Sequence, residues 1–176
     1  MSASSCFLIV FPPAFSSGVL FSSLFFYKFY KFYNYYIKNT VITFEEVDVT
    51  LSEIERRVEL TTKEYPWFVY EINGAAIGYA YATSWKTRSG YRYSAECTIY
   101  LSPEWIGKGI GKKLYSVLIE ELKKRNFHYL IGGIALPNEG SIALHEKLNF
   151  KKCSQLTEVG YKFNKWIDVG YWELII

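Results

Sequence analysis

Glu96 opens an apolar stretch, Cys97-Thr98-Ile99-Tyr100-Leu101, that ends at Ser102-Pro103 and is followed by Gly107-Lys108-Gly109-Ile110-Gly111-Lys112. Alternating glycines at the start of a helix leave bare backbone N–H groups facing outward, where the helix dipole favours an anion. The lysines add positive charge to the same turn. A carboxylate at the other end of the strand is a candidate proton acceptor. A phosphate cradle and a base joined by one strand suggest a phosphorylated cofactor that delivers a group to an acidic site.

Two nucleotide motifs do not fit this turn. A Walker loop needs a hydroxyl residue after its lysine, and Gly111-Lys112 is followed by Lys113. A dinucleotide turn needs G-x-G-x-x-G, whereas the glycines here alternate at 107, 109 and 111. Glycines and lysines at a strand-to-helix turn also occur with no ligand at all.

The surrounding periodicity supplies elements to hold these residues. A broad aromatic face made by Leu24, Phe25, Phe29, Phe32, Tyr33 and Tyr36 predicts a helix from about Ser23, capped by Ser22 or Ser23. A short strand is expected over 41–44 and a helix over 52–64, with Ser52 and Glu55 as a capping box. Strands over 67–72 and 75–84 flank Asn73-Gly74, a two-residue hairpin signal. A polar and aromatic loop at 85–92 leads into the strand 93–101, then a helix over 109–125 with Leu114, Val117, Leu118 and Leu122 on one side. A strand over 129–136 is broken by Pro137-Asn138 before a helix over 140–148, and strands over 150–159 and 166–176 complete the chain. A meander followed by alternation of strand and helix predicts an α/β (α+β) fold, one mixed central sheet flanked by helices.

Composition narrows the function class. The 176 residues carry 20 basic and 17 acidic side chains, a formal net charge of +3 that is too mild to argue for nucleic acid. Cys6, Cys97 and Cys153 are odd in number and far apart, which gives neither a disulfide framework nor a metal cluster and fits a reducing cytosol. His128 and His145 lack paired spacing, so no metal site is expected.

The order strand, G-x-G turn, helix, strand, Pro-Asn, helix, Leu-Asn-Phe resembles the GNAT acetyltransferase superfamily. Several segments are similar to the phosphinothricin and methionine sulfoximine N-acetyltransferases within it. They are Tyr65-Pro66-Trp67, Gly78-Tyr79-Ala80-Tyr81, Trp85-Lys86-x-Arg88 with Tyr91, Ala95-Glu96-x-Thr98-x-Tyr100-x-Ser102-Pro103, Leu136-Pro137-Asn138, His145-Glu146 and Trp166-x-Asp168-Val169-Gly170. The resemblance runs from about Tyr33 to the end of the chain.

That resemblance implies a cytoplasmic, homodimeric N-acetyltransferase moving acetyl from acetyl-CoA to the α-amine of a small amino acid analogue. It implies acetyl-CoA between two splayed strands. The backbone of Ile99, Tyr100 and Leu101 would hold the pantetheine arm, and Gly107, Lys108, Gly109, Ile110, Gly111 and Lys112 the pyrophosphate, with Asn138 as a further contact. Glu96 takes the place of the family's base. The loop residues Lys86, Arg88 and Tyr91, together with Phe44, take substrate-binding places. His145 falls where many relatives have a tyrosine that protonates the leaving thiolate. As a residue it can equally be an acid, a CoA contact or a satisfied, half-buried histidine. Two positions depart from the pattern: Ile106 stands where the phosphate loop begins with Gln or Arg, and Asn149 where Gly precedes the aromatic. Weaker CoA binding is expected from the first.

Residues 1–30 are atypical, and residues 31–176 form the acetyltransferase-like domain. No charged residue precedes Lys28, and 7–26 is an apolar run diluted by Pro12-Pro13, Gly18 and serines. A membrane anchor, a first strand and helix of the domain, and an altered reading-frame start all remain open from sequence. The competing functional readings are a different small-amine acceptor and a degenerate, non-catalytic acyl-CoA-binding relative.

Overall fold

The computed structural model describes residues 6–10 and 23–176 of the chain. Residues 11–22, with Pro12-Pro13, Gly18 and the expected cap Ser22, lie outside the described residues, and so do the side chains of Leu24 and Phe25.

Strand β1 (Cys6–Val10) and helix α1 (Ser23–Asn39) open the described fold, followed by α2 (Leu51–Thr62), β2 (Trp67–Ile72) and β3 (Ala75–Ser84). Then come β4 (Ser94–Leu101), α3 (Ile110–Lys124), β5 (Tyr129–Ala135), α4 (Glu139–Lys147), β6 (Lys151–Lys162) and β7 (Lys165–Ile175). The strands form one sheet in the order β1-β2-β3-β4-β5-β7-β6. Every neighbouring pair is antiparallel except β4 and β5, which are parallel. Among the described residues, no helix is long and apolar enough to cross a membrane.

Alternation along the strands divides the core. In β3, Tyr79 packs with Phe29, Tyr33 and Val58 of α1 and α2, whereas Ala80 and Ala82 pack with Leu114, Leu118 and Leu122 of α3. The aromatic stripe expected on α1 is therefore core: Phe29, Phe32, Tyr33 and Tyr36 are all buried. Asn73 and Gly74 both take positive φ, 51° and 73°, as the hairpin turn requires. Asn149 takes φ 68° and accepts the left-handed position in place of glycine.

Two local expectations fail. Residues 41–44 are irregular rather than a strand. Local side-chain bonds replace a ladder there: the Thr40 hydroxyl donates to Tyr36 O (2.8 Å) and accepts from Ile42 N–H (3.2 Å), and Thr43 Oγ1 accepts from Glu45 N–H (3.4 Å). The cap of α2 is Thr50, not Ser52. Thr50 is extended and its Oγ1 accepts the Glu53 N–H at 3.2 Å, while the Ser52 hydroxyl lies 3.0 Å from the Thr50 hydroxyl.

Candidate active site

β4 and β5 pair over only three positions: Ser94 with Tyr129, Ala95 with Leu130, and Glu96 with Ile131. Beyond that rung each strand keeps only its outer neighbour, β3 as far as Leu101 and β7 as far as Ala135. The sheet therefore opens directly after Glu96. Ser102 N–H donates to Ile77 O of β3 at 2.8 Å. By alternation, the backbone groups of Tyr100 and Thr98 also turn to β3, and those of Cys97, Ile99 and Leu101 face the opening. The side-chain hydroxyls found there agree: Tyr115 donates to Cys97 O (3.3 Å) and Tyr36 to Leu101 O (2.6 Å).

The opening continues into a cleft of about 440 Å³. Eight of the residues expected there line it: Ile99, Tyr100, Leu101, Gly107, Gly109, Gly111, Lys112 and Asn138. Lys108 and Ile110 do not. The Lys108 ammonium sits over the Trp105 ring, 4.4 Å from its centroid, and the Ile110 side chain is buried. Gly107 and Gly109 take φ of 79° and 78°. The first bond of α3 runs from Lys113 N–H to Gly109 O (3.3 Å), so the N–H groups of residues 110–112 precede the helical ladder. Asn138 caps α4, its Oδ1 accepting from Ser141 N–H at 3.1 Å. The cleft also takes in Ile106, at the start of the glycine turn as expected, and Tyr36, Ile42, Ser141, Leu144 and Lys147, which the sequence alone did not place there. Gly140, Leu144 and Lys147 recur at helical spacing, and that stripe on α4 was the available signal. An open strand edge, an apolar wall, a helix N-terminus and two lysines suit a long amide chain that ends in phosphates.

Glu96 is half-buried and has no side-chain hydrogen bond or ion pair among the described residues. Burial raises its pKa above the ordinary carboxylate value. Its Oε1 lies near Gly133 and the Tyr171 ring, on the face opposite Cys97. Cys97 is buried, and burial pushes its thiol up, so it is not poised as a nucleophile.

The loop from Trp85 meets this carboxylate through aromatic contacts. Trp85 packs edge-on to Tyr171 at 5.6 Å, and the Lys86 ammonium lies 5.4 Å from both the Trp85 and the Tyr91 rings. Arg88 is exposed on the same loop. The Phe44 ring covers Gly160 of β6. The neighbouring Thr43 carbonyl accepts from the buried Lys162 ammonium at 2.7 Å.

His145 is 3 % exposed and does not line the cleft. Its Nδ1 lies 2.8 Å from Ser141 O, an acceptor only, so Nδ1 carries the proton. Its Nε2 lies 3.1 Å from the Tyr115 hydroxyl. Burial lowers its pKa, which keeps the ring neutral. Of the three roles open from sequence, this placement is that of a satisfied buried histidine.

Comparison with known proteins agrees with this geometry. Residues 26–170 match the acetyltransferase (GNAT) domain model. The chain is 35% identical to a phosphinothricin N-acetyltransferase of Streptomyces viridochromogenes over 78% of this chain and 75% of that one. It is 40% identical to an L-methionine sulfoximine/L-methionine sulfone acetyltransferase of Salmonella typhimurium over 62% of this chain and 64% of that one. The crystal structure of a GNAT superfamily phosphinothricin acetyltransferase from Sinorhizobium meliloti in complex with AcCoA superposes with a TM-score of 0.85 at 30% identity, covering 98% of this chain and 88% of that one. With the splayed strands, the glycine turn and the match over most of its length, the chain belongs to the GNAT acetyltransferase family.

Proposed function

We propose that the protein transfers acetyl from acetyl-CoA to the α-amine of a small amino acid analogue of the phosphinothricin or methionine sulfoximine/sulfone type. The observation that carries this reading is the half-buried Glu96, without a side-chain partner among the described residues, at the rung where β4 and β5 part. The activities for which the relatives are named support the acceptor class.

When bound, acetyl-CoA supplies an acetyl group activated as a thioester. The backbone of Ile99 and Leu101 faces the place for its amide arm. The N–H groups of residues 110–112, with Lys112 and Lys147, suit its phosphates. An α-ammonium titrates near ~7.7–8.0 and must lose a proton before it can attack. Glu96 accepts that proton directly or through a water, and its raised pKa narrows the gap between donor and acceptor. Arg88 and Lys86 hold the acceptor's carboxylate or side-chain oxyanion, and Tyr91 and Phe44 bound it. His145, neutral and fully engaged, supports the site from behind the sheet instead of donating a proton.

The reading extends to a cytoplasmic homodimer. Exposed Leu156, Val159 and Tyr161 on the outermost strand β6, with Trp166 on β7, support association of two copies. The free thiols Cys97 and Cys153 are consistent with a reducing compartment. We take β1 and α1 as the opening of the same domain, since β1 pairs with β2 and α1 packs on β3.

The test is release of CoA thiol from acetyl-CoA by purified protein with a panel of free amino acids that includes methionine sulfoximine. Release only with small amino acid acceptors supports the proposal. CoA binding without release for any acceptor contradicts it and favours a non-catalytic acyl-CoA-binding relative.

A further inference from the structure

The gap between β4 and β5 is filled from the α3–α4 side by aromatic rings. Tyr115 of α3 stacks on Phe150 (5.7 Å, 15°), and His145 of α4 meets both rings edge-on at 5.1 Å. The His145 imidazole occupies the space over Gly132, the first β5 residue past the last rung, where a Cβ would collide with Nε2. Gly132 is the residue that lets the ring stand there.

The polar groups of this cluster are counted closely. In an unbroken parallel ladder the Cys97 carbonyl would accept from a β5 N–H. Pairing ends one residue earlier, and the Tyr115 hydroxyl donates to that carbonyl instead, at 3.3 Å. The same hydroxyl lies 3.1 Å from His145 Nε2, which is bare because the ring proton is on Nδ1. Tyr115 therefore brings one proton to two buried acceptors. Both Tyr115 and Cys97 are buried, so no solvent replaces that proton.

We infer that Tyr115 is a positioning residue for acetyl transfer: its hydroxyl takes the place of the missing β5 donor at Cys97 O and, with His145 as spacer over Gly132, holds the strands apart where the thioester end of acetyl-CoA must enter. This rests on the acetyltransferase reading. Ile99, whose backbone faces the cleft, is two residues beyond Cys97 on the same strand edge. A β4 edge released at Cys97 is free to shift and misalign the donors and acceptors that follow it.

Three measurements on Tyr115→Phe test this. Amide hydrogen exchange in the CoA-free protein should speed up in β4 past Glu96 and in β5 past Ile131. CoA binding by calorimetry should weaken about fivefold to tenfold, the scale of one lost hydrogen bond. In turnover, the acetyl-CoA KM should rise while the acceptor KM and the positions of the pH profile stay fixed. Gly132→Ala, which presses on His145 from the other strand, should give the same pattern. Unchanged exchange and unchanged CoA binding in Tyr115→Phe overturn the inference. So does a lost kcat with a displaced alkaline limb and normal CoA binding, which would make Tyr115 a proton donor. Exchange and CoA binding are read without an acceptor, so failure to find one leaves this test intact.

Discussion

The Oε1 of Glu96 lies 3.5 Å from the point where a Cβ on Gly133 would stand, and the Tyr171 ring lies 3.2 Å from the same point. Gly133 is thus the bare stretch of β5 that leaves the carboxylate room. Gly133→Val should push both side chains and lower kcat/KM for the acceptor by up to about 10²-fold, the cost of misplacing a reacting group by about an ångström. Steady-state kinetics with both substrates check this; the acetyl-CoA KM should change little.

Burial raises the Glu96 pKa, which has a sign for stability as well as for rate. The stability tied to a raised carboxylate is fully present below the unfolded value of about 4.3 and is lost as pH rises through the folded value. Glu96→Gln removes that loss. The variant should be more stable than the parent at neutral pH, with the difference closing in acid, as read by denaturant unfolding across pH. In the parent, acceptor kcat/KM should fall as pH drops through the raised Glu96 value, because the base is then protonated.

Ile106 lines the cleft and is 52% exposed at the start of the glycine turn. Lys108 is drawn onto Trp105, so Lys112 and Lys147 are the cations at the cleft. Ile106→Arg should lower the acetyl-CoA KM about fivefold, the worth of one exposed charge-assisted contact of about 1 kcal/mol. The acceptor KM should be unaffected.

The loop carrying Phe44 is tied to the β6–β7 hairpin by Lys162, whose ammonium donates to Thr43 O, and by the packing of Phe44 on Gly160. Lys162→Met keeps the length of the side chain and removes the bond. We expect the acceptor KM to rise about threefold to tenfold, the scale of one hydrogen bond of about 1 kcal/mol, with no change in the acetyl-CoA KM.

The sequence reached most of these residues through different signals. The glycine turn and its strand were legible because special backbone geometry and period-two burial leave marks in residue type. Asn73-Gly74 was legible for the same reason. Residues 41–44 looked like a strand because they are β-branched and aromatic, yet Thr40 and Thr43 spend their hydroxyls on local backbone groups. Tyr36 was readable only as part of a core face, since its bond to Leu101 O joins residues 65 apart in the chain. His145 kept three meanings because its type fits all of them; only the fold shows both nitrogens engaged. The Trp85–Tyr171 contact, which brings the loop at 85–92 toward Glu96, likewise depends on packing between distant strands.

The most direct test is turnover of acetyl-CoA with methionine sulfoximine by the parent protein and by Glu96→Ala, with CoA binding measured on both. The account predicts a fall in turnover of about 10²–10⁴-fold for the variant, the scale of a lost general base, with CoA binding retained. Equal turnover in the two proteins at every pH would contradict it.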